Sequence, residues 1–109
     1  RKRQEQQIQL IDEEIAAAMR RILVLDQNLK EEREQAAAWQ KKQDRPNARL
    51  PYAVQQRISS IANAILAEDA LIQERRNERT RLNRDFEANA ARLTELLAHL
   101  PAEQQEPAN

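Results

Sequence analysis

Few side chains in this chain of 109 residues are of types that do chemistry, and their spacing argues against most reactions. There is no Cys and only one histidine, His99, so the usual nitrogen and sulfur ligands of a metal centre cannot be assembled and no thiolate nucleophile exists. The adjacent Ser59 and Ser60 have no base at a recognisable spacing. Gly is absent throughout, which removes any Gly-rich phosphate loop. The expectation is a protein that is not an enzyme and holds no metal or cofactor.

Charge supplies two further candidates. The run "QERRNERTRLNRDFE", Gln73 to Glu87, is rich in Arg in the manner of a DNA-reading helix. Glu74, Glu78, Asp85 and Glu87 are interleaved with those arginines, however, and alternating signs three and four residues apart mark a solvated, ion-paired face. With 18 basic and 18 acidic residues the formal charge is zero, so no overall field draws the chain to a polyanion, and nucleic acid is not an expected partner. The second candidate is "WQKKQDRPNARLPYAVQQR", Trp39 to Arg57, which holds two of the four prolines and the only Trp and Tyr. Here Lys41, Lys42, Arg45, Arg49 and Arg57 face a single Asp44. Such a cluster can grip an acidic partner, a phosphate backbone or a lipid surface, or simply complement the dipole at a helix C-terminus. Trp39, Leu50 and Tyr52 are expected to form a small apolar plug, with Trp39, Lys41, Lys42, Arg45, Arg49 and Tyr52 as the alternative docking surface.

The elements that must position these residues are helical. A third of the chain is charged, 3% is aromatic, and Ala, Leu, Ile, Glu, Gln and Arg dominate, a composition of long helices rather than sheets. Ile8, Ile15, Ile22, Leu29 and Ala36 recur every seven residues, and Ile11, Ala18, Leu25 and Trp39 form a second series offset by three, with Glu32 its polar member. These are the a and d positions of a coiled-coil heptad. After Pro51 the pattern resumes with Ile58, Ile65, Ile72, Phe86, Leu93 and Leu100 in one series and Val54, Ile61, Leu82 and Leu96 in the other, interrupted by Glu68, Arg75, Arg79 and Asn89. Pro46 and Pro51 each disfavour helix at the preceding residue, and Asp44 and Asn47 favour turns. The fold class is therefore all-α, an antiparallel two-helix hairpin: helix one over about 3–44, a corner over about 45–51, helix two over about 52–100 and a disordered tail over 101–109. Arms of about 40 residues make a rod of roughly 60 Å.

Folding back across the corner gives a working register in which paired residue numbers sum to about 95. It sets Leu29 near Leu66, Ile22 near Ile72, Ile11 near Leu82 and Ile8 near Phe86, with Asp12, Glu13 and Glu14 opposite Arg81 and Arg84. Arg75 and Arg79 then face Ala16 to Ala18 with their charged ends in water. Helix two overruns helix one in this register, so further helix is expected upstream of Arg1.

A narrow seam leaves Met19, Leu23, Val24, Leu66 and Leu71 flanking it, and an exposed apolar set in the middle of both arms is expected to self-associate into a four-helix bundle. The functional expectation is a coiled-coil scaffold, spacer or docking rod, with itself and an unidentified protein as partners. A second reading is a membrane-linked stalk, anchored through a segment upstream of "RKR". In outline the chain resembles the helical hairpins of secretion-apparatus stalk proteins and of periplasmic adaptors, a likeness of shape shared by many coiled coils. The Ala, Arg and Gln bias is similar to that of GC-rich bacterial genomes. Compartment is undecided on these residues, with the cytoplasm as default and a membrane tether as the alternative.

Overall fold

A computed structural model describes residues 2–43 and 48–100, of which 92% are helical; no strand occurs among them. There are two helices, α1 over Lys2–Lys41 and α2 over Tyr52–Ala98. Asp44, Arg45, Pro46 and Asn47 of the expected corner, and the tail 101–109, lie outside the described residues. The molecule is extended, with principal dimensions of 91 × 20 × 16 Å.

The helix ends follow from local chemistry. α1 stops a few residues before the expected boundary near 44, closed by tight-turn bonds from the Lys42 N–H to the Trp39 carbonyl and from the Gln43 N–H to the Gln40 carbonyl, each 3.1 Å. Pro51, with φ −54° and ψ 144°, is the last extended residue before α2, and its carbonyl accepts from the Val54 and Gln55 N–H groups. Proline presets that backbone angle and has no N–H to lose at a helix start. α2 ends at Ala98, and the His99 and Leu100 N–H groups close a final tight turn onto Leu96 and Leu97. His99 is thus a helix-terminal residue.

α1 and α2 share one apolar seam. The buried residues are Ile11, Ala18, Leu29 and Ala36 on α1 and Ile72 on α2, all members of the two heptad series. Ala18 is fully buried, consistent with two backbones that approach closely where side chains are small. Other seam residues, among them Ile8, Ile15, Ile22, Ile58, Ile65 and Leu82, are half-buried, as expected where only two helices cover each other.

Ion pairs between the helices define the register and correct the expected one. Arg79 meets Asp12, Arg75 meets Glu14, Arg21 meets Glu68 and Arg57 meets Glu32, so partners descend along α2 as they ascend along α1. Three of these pairs sum to 89 and the fourth to 91. The Leu82 carbonyl, expected beside Ile11, instead accepts from Gln4 Nε2 at 2.9 Å, one heptad earlier. Arg75 and Arg79 are therefore not opposite Ala16 to Ala18, and Asp12 and Glu14 do not meet Arg81 and Arg84. The cause lies at the corner. Residues 48–51 are not helical, and the Ala48 carbonyl is held against α1 by Gln40 Nε2 at 3.1 Å. The chain thus travels back along α1 before α2 begins, and Tyr52 starts level with residue 37.

Candidate interaction surface

The ladder has one bidentate rung. Arg21 Nε and Nη2 donate to the two Glu68 carboxylate oxygens at 2.8 and 2.9 Å, the fork geometry in which guanidinium and carboxylate match. That hydrogen bonding, supported by the opposite charge, lowers the Glu68 carboxyl below its ordinary range and raises Arg21, with partial desolvation opposing both. Arg75 is raised as well, chiefly by its hydrogen bond to Glu14 and the charge of that carboxylate, with Glu78 adding to it at 3.0 Å. Glu68, Arg75 and Arg79 read in the sequence as interruptions of the apolar stripe. In the structure each is partly buried and paired with a charged residue flanking the α1 seam. The signal was available in their heptad-equivalent spacing to Glu14 and Arg21, but it needed the register to be seen.

The flanking apolar residues do not form one continuous patch. Met19 and Leu23 line an open groove with Ile22, Asp69, Ile72, Gln73 and Arg76. Val24 lines another, with Ala17, Arg20, Arg21, Leu25, Ala64 and Glu68. Helical rotation explains the split: Leu23 follows the seam residue Ile22 by one position, whereas Arg21 precedes it by one, so their grooves lie on opposite sides of the seam. On α2, Leu66 follows the seam residue Ile65 and shares the Leu23 side, while Leu71 precedes Ile72 and shares the Val24 side. Leu71 is half-buried. Leu23 and Leu66 are 69% and 65% exposed, values far above those of the seam, and Met19 and Val24 are also exposed.

At the corner end Lys41, Lys42 and Arg49 are exposed and form no ion pair within the described residues. Arg57 leaves the basic cluster by pairing with Glu32 at 3.3 Å, and Arg45 lies outside the described residues. Trp39 and Leu50 are half-buried, but Tyr52 is 75% exposed and so does not belong to the expected plug. It stands one position past the seam at the very start of α2, which turns its ring outward. What orders this end is instead a set of glutamines: Gln40, Gln43 and Gln55 donate to the carbonyls of Ala48, Trp39 and Leu50 at 3.1, 3.3 and 2.7 Å. These residues carry no conspicuous motif and were not singled out in the sequence.

The far end differs. With Lys2 level with residue 87, residues 88–98 of α2 have no described α1 residue beside them. Leu93, Leu96 and Leu97 are accordingly exposed although Leu93 and Leu96 belong to the heptad series.

No group of His, Cys, Asp and Glu suited to a metal ion occurs among the described residues, and no described helix is long and apolar enough to cross a membrane. Both grooves are open and lined by apolar and charged side chains. No family model matches the chain, and no curated protein or solved structure shows significant similarity to it.

Proposed function

We propose that this chain is a non-enzymatic interaction module: an antiparallel helical hairpin of coiled-coil type that associates with itself and serves as a scaffold, spacer or docking rod. The opposed order of ion-pair partners along α1 and α2 supports the hairpin, and the heptad identity of every buried residue supports the coiled coil. The observation that carries self-association is the exposure of Met19, Leu23, Val24 and Leu66 on a surface otherwise dominated by charged and polar side chains. Covering a large apolar side chain is worth about 1.5–3 kcal/mol, and several of them on two copies offset the entropy of association. Sedimentation equilibrium tests the reading: a dimer at micromolar concentration and a melting temperature that rises with concentration are expected. A monomer mass at every concentration refutes self-association.

A docking role for the corner end is a second reading, favoured by the exposure of Tyr52 beside Lys41, Lys42 and Arg49. Replacing Tyr52 with Ser should leave thermal stability unchanged under this reading and weaken capture of an acidic partner peptide. A large loss of stability would make Tyr52 structural.

A further inference from the structure

Charge is distributed unevenly along the rod. Between Glu34 and Glu68 the sequence holds five basic residues and a single acidic one, Asp44, whereas the rest of the chain holds 13 basic and 17 acidic. A chain of zero formal charge is thus +4 around its corner and −4 elsewhere. Along the sides of the rod cations and carboxylates pair across the seam: Arg21 with Glu68, Arg75 with Glu14 and Arg79 with Asp12, and Arg57 is taken up by Glu32. At the corner end Lys41, Lys42 and Arg49 are exposed and pair with no described residue. Asp44 and Arg45, outside the described residues, cancel in formal charge. The nearest described carboxylate on α1 is Glu34, seven residues before Lys41, roughly 10 Å along the axis. Screening at physiological salt acts over about 8 Å, so an anionic object touching this end meets the cations before any carboxylate.

Two further observations select the class of that object. Tyr52 is 75% exposed at the same end, beside exposed Pro51 and Ala53. A ring with an apolar body and a hydroxyl tip suits a boundary between head groups and acyl chains. The three unpaired cations also lie in the last residues of α1 and the segment before α2, at the blunt end of a rod 20 × 16 Å across. A duplex or an acidic helix is long and is met by a row of cations along a helix, but the rows along this rod interleave both signs. A plane is met by an end. We propose that the corner end docks on the surface of a bilayer containing anionic phospholipids. Lys41, Lys42 and Arg49 lie among the head groups, Tyr52 sits at the interface and the rod points away from the surface. The inference rests on the corner-docking reading and names its partner class.

Co-sedimentation with vesicles tests it. The unmodified chain should bind vesicles of equal parts phosphatidylserine and phosphatidylcholine, release as salt is raised, and leave vesicles of phosphatidylcholine alone unbound. Each cation near an anionic leaflet is worth about fivefold in partitioning, so Lys41→Gln, Lys42→Gln and Arg49→Gln together should lower binding on the order of a hundredfold. Arg20→Gln, Arg33→Gln and Arg81→Gln together remove the same charge from exposed positions on the sides and should change it by less than about threefold. Equal losses in the two triple variants would mean that net charge, not the corner end, drives binding, and would overturn the proposal. Absence of vesicle binding at low salt, with corner-dependent binding to polyglutamate or duplex DNA, overturns the lipid surface while leaving corner docking standing. Binding to none of these probes removes both.

Discussion

Ile72→Ala is the most informative single perturbation of the fold. Ile72 is the one buried residue on α2, only 5% exposed, at the same heptad position as half-buried Ile65. Truncation to Ala removes three carbon atoms, roughly 2.4 kcal/mol of transfer free energy at about 0.8 per group, before any cavity is counted. Buried Ile→Ala changes span about 2–5 kcal/mol. A seam between only two helices is open on both sides and can collapse or admit water, which places this site at the low end. Alanine also returns a few tenths of a kcal/mol in helix propensity. The expected net cost is about 2 kcal/mol. For a domain of this size each kcal/mol lowers the melting temperature by about 4–8 °C, so a fall of roughly 8–16 °C is expected.

The control is Leu66→Ala, a comparable truncation six residues away. Leu66 is mostly exposed, and surface changes of this kind stay within about 0.5 kcal/mol. Both variants are to be melted by circular dichroism at a concentration where the chain is monomeric, so that lost association does not mimic lost packing. Ile72→Ala should then melt well below the parent and Leu66→Ala close to it. Under the proposed self-association, raising the concentration should separate Leu66→Ala from the parent. Equal losses at low concentration would refute the assignment of Ile72 to the seam and of Leu66 to the surface.

Acid titration should reveal the Arg21–Glu68 rung. The Glu68 pKa is lower in the folded chain than its ordinary 4.5, so its stabilising contribution is complete above that value and is lost as pH falls towards the folded pKa. Glu68→Gln should therefore flatten the decline of the urea midpoint below about pH 4.5, and an unchanged slope would show that the rung contributes nothing. Hydrogen exchange should be fastest in α2 over residues 88–98, which have no described α1 residue alongside; protection there equal to that around Ile72 would contradict this. Neutralising Glu14, Arg21, Glu68 and Arg75 together with Gln should preserve helix content but broaden the distance between spin labels at Gln9 and Thr80. A single sharp distance would mean that these charges do not set the register.

The sequence made the rotational phase of each helix legible, because a seven-residue spacing fixes which side chains turn towards a neighbour. Ile11, Ala18, Leu29, Ala36 and Ile72 could all be named from that spacing alone. Translation along the axis was not legible in the same way. Ile11 beside Leu82 and Gln4 beside Leu82 differ by one heptad, and both bring apolar rows together. The agreement of apolar with apolar therefore did not test the register. Tyr52 was misplaced because residue type favoured a plug, whereas one position of rotation past the seam turned it outward. The split of Met19, Leu23 and Leu66 from Val24 and Leu71 was implicit in their positions after or before a seam residue, but a count of exposed apolar residues does not contain it.

What removes the heptad ambiguity is the placement of four charges. Glu14 and Arg21 are seven residues apart on α1, and Glu68 and Arg75 are seven apart on α2. In the observed register Glu14 meets Arg75 and Arg21 meets Glu68. Sliding α2 one heptad in one direction would bring Arg21 level with Arg75, and sliding it one heptad in the other would bring Glu14 level with Glu68. Either slip keeps Ile and Leu facing each other and sets like charges against one another at the edge of the seam. Exposed ion pairs contribute little to stability, and this ladder is exposed enough that the apolar seam must hold the helices together. The charges have a different consequence, which is to penalise the two nearest alternatives. A residue that looks like a defect in the apolar stripe, such as Glu68 or Arg75, thereby selects one register among several that the leucines and isoleucines would accept.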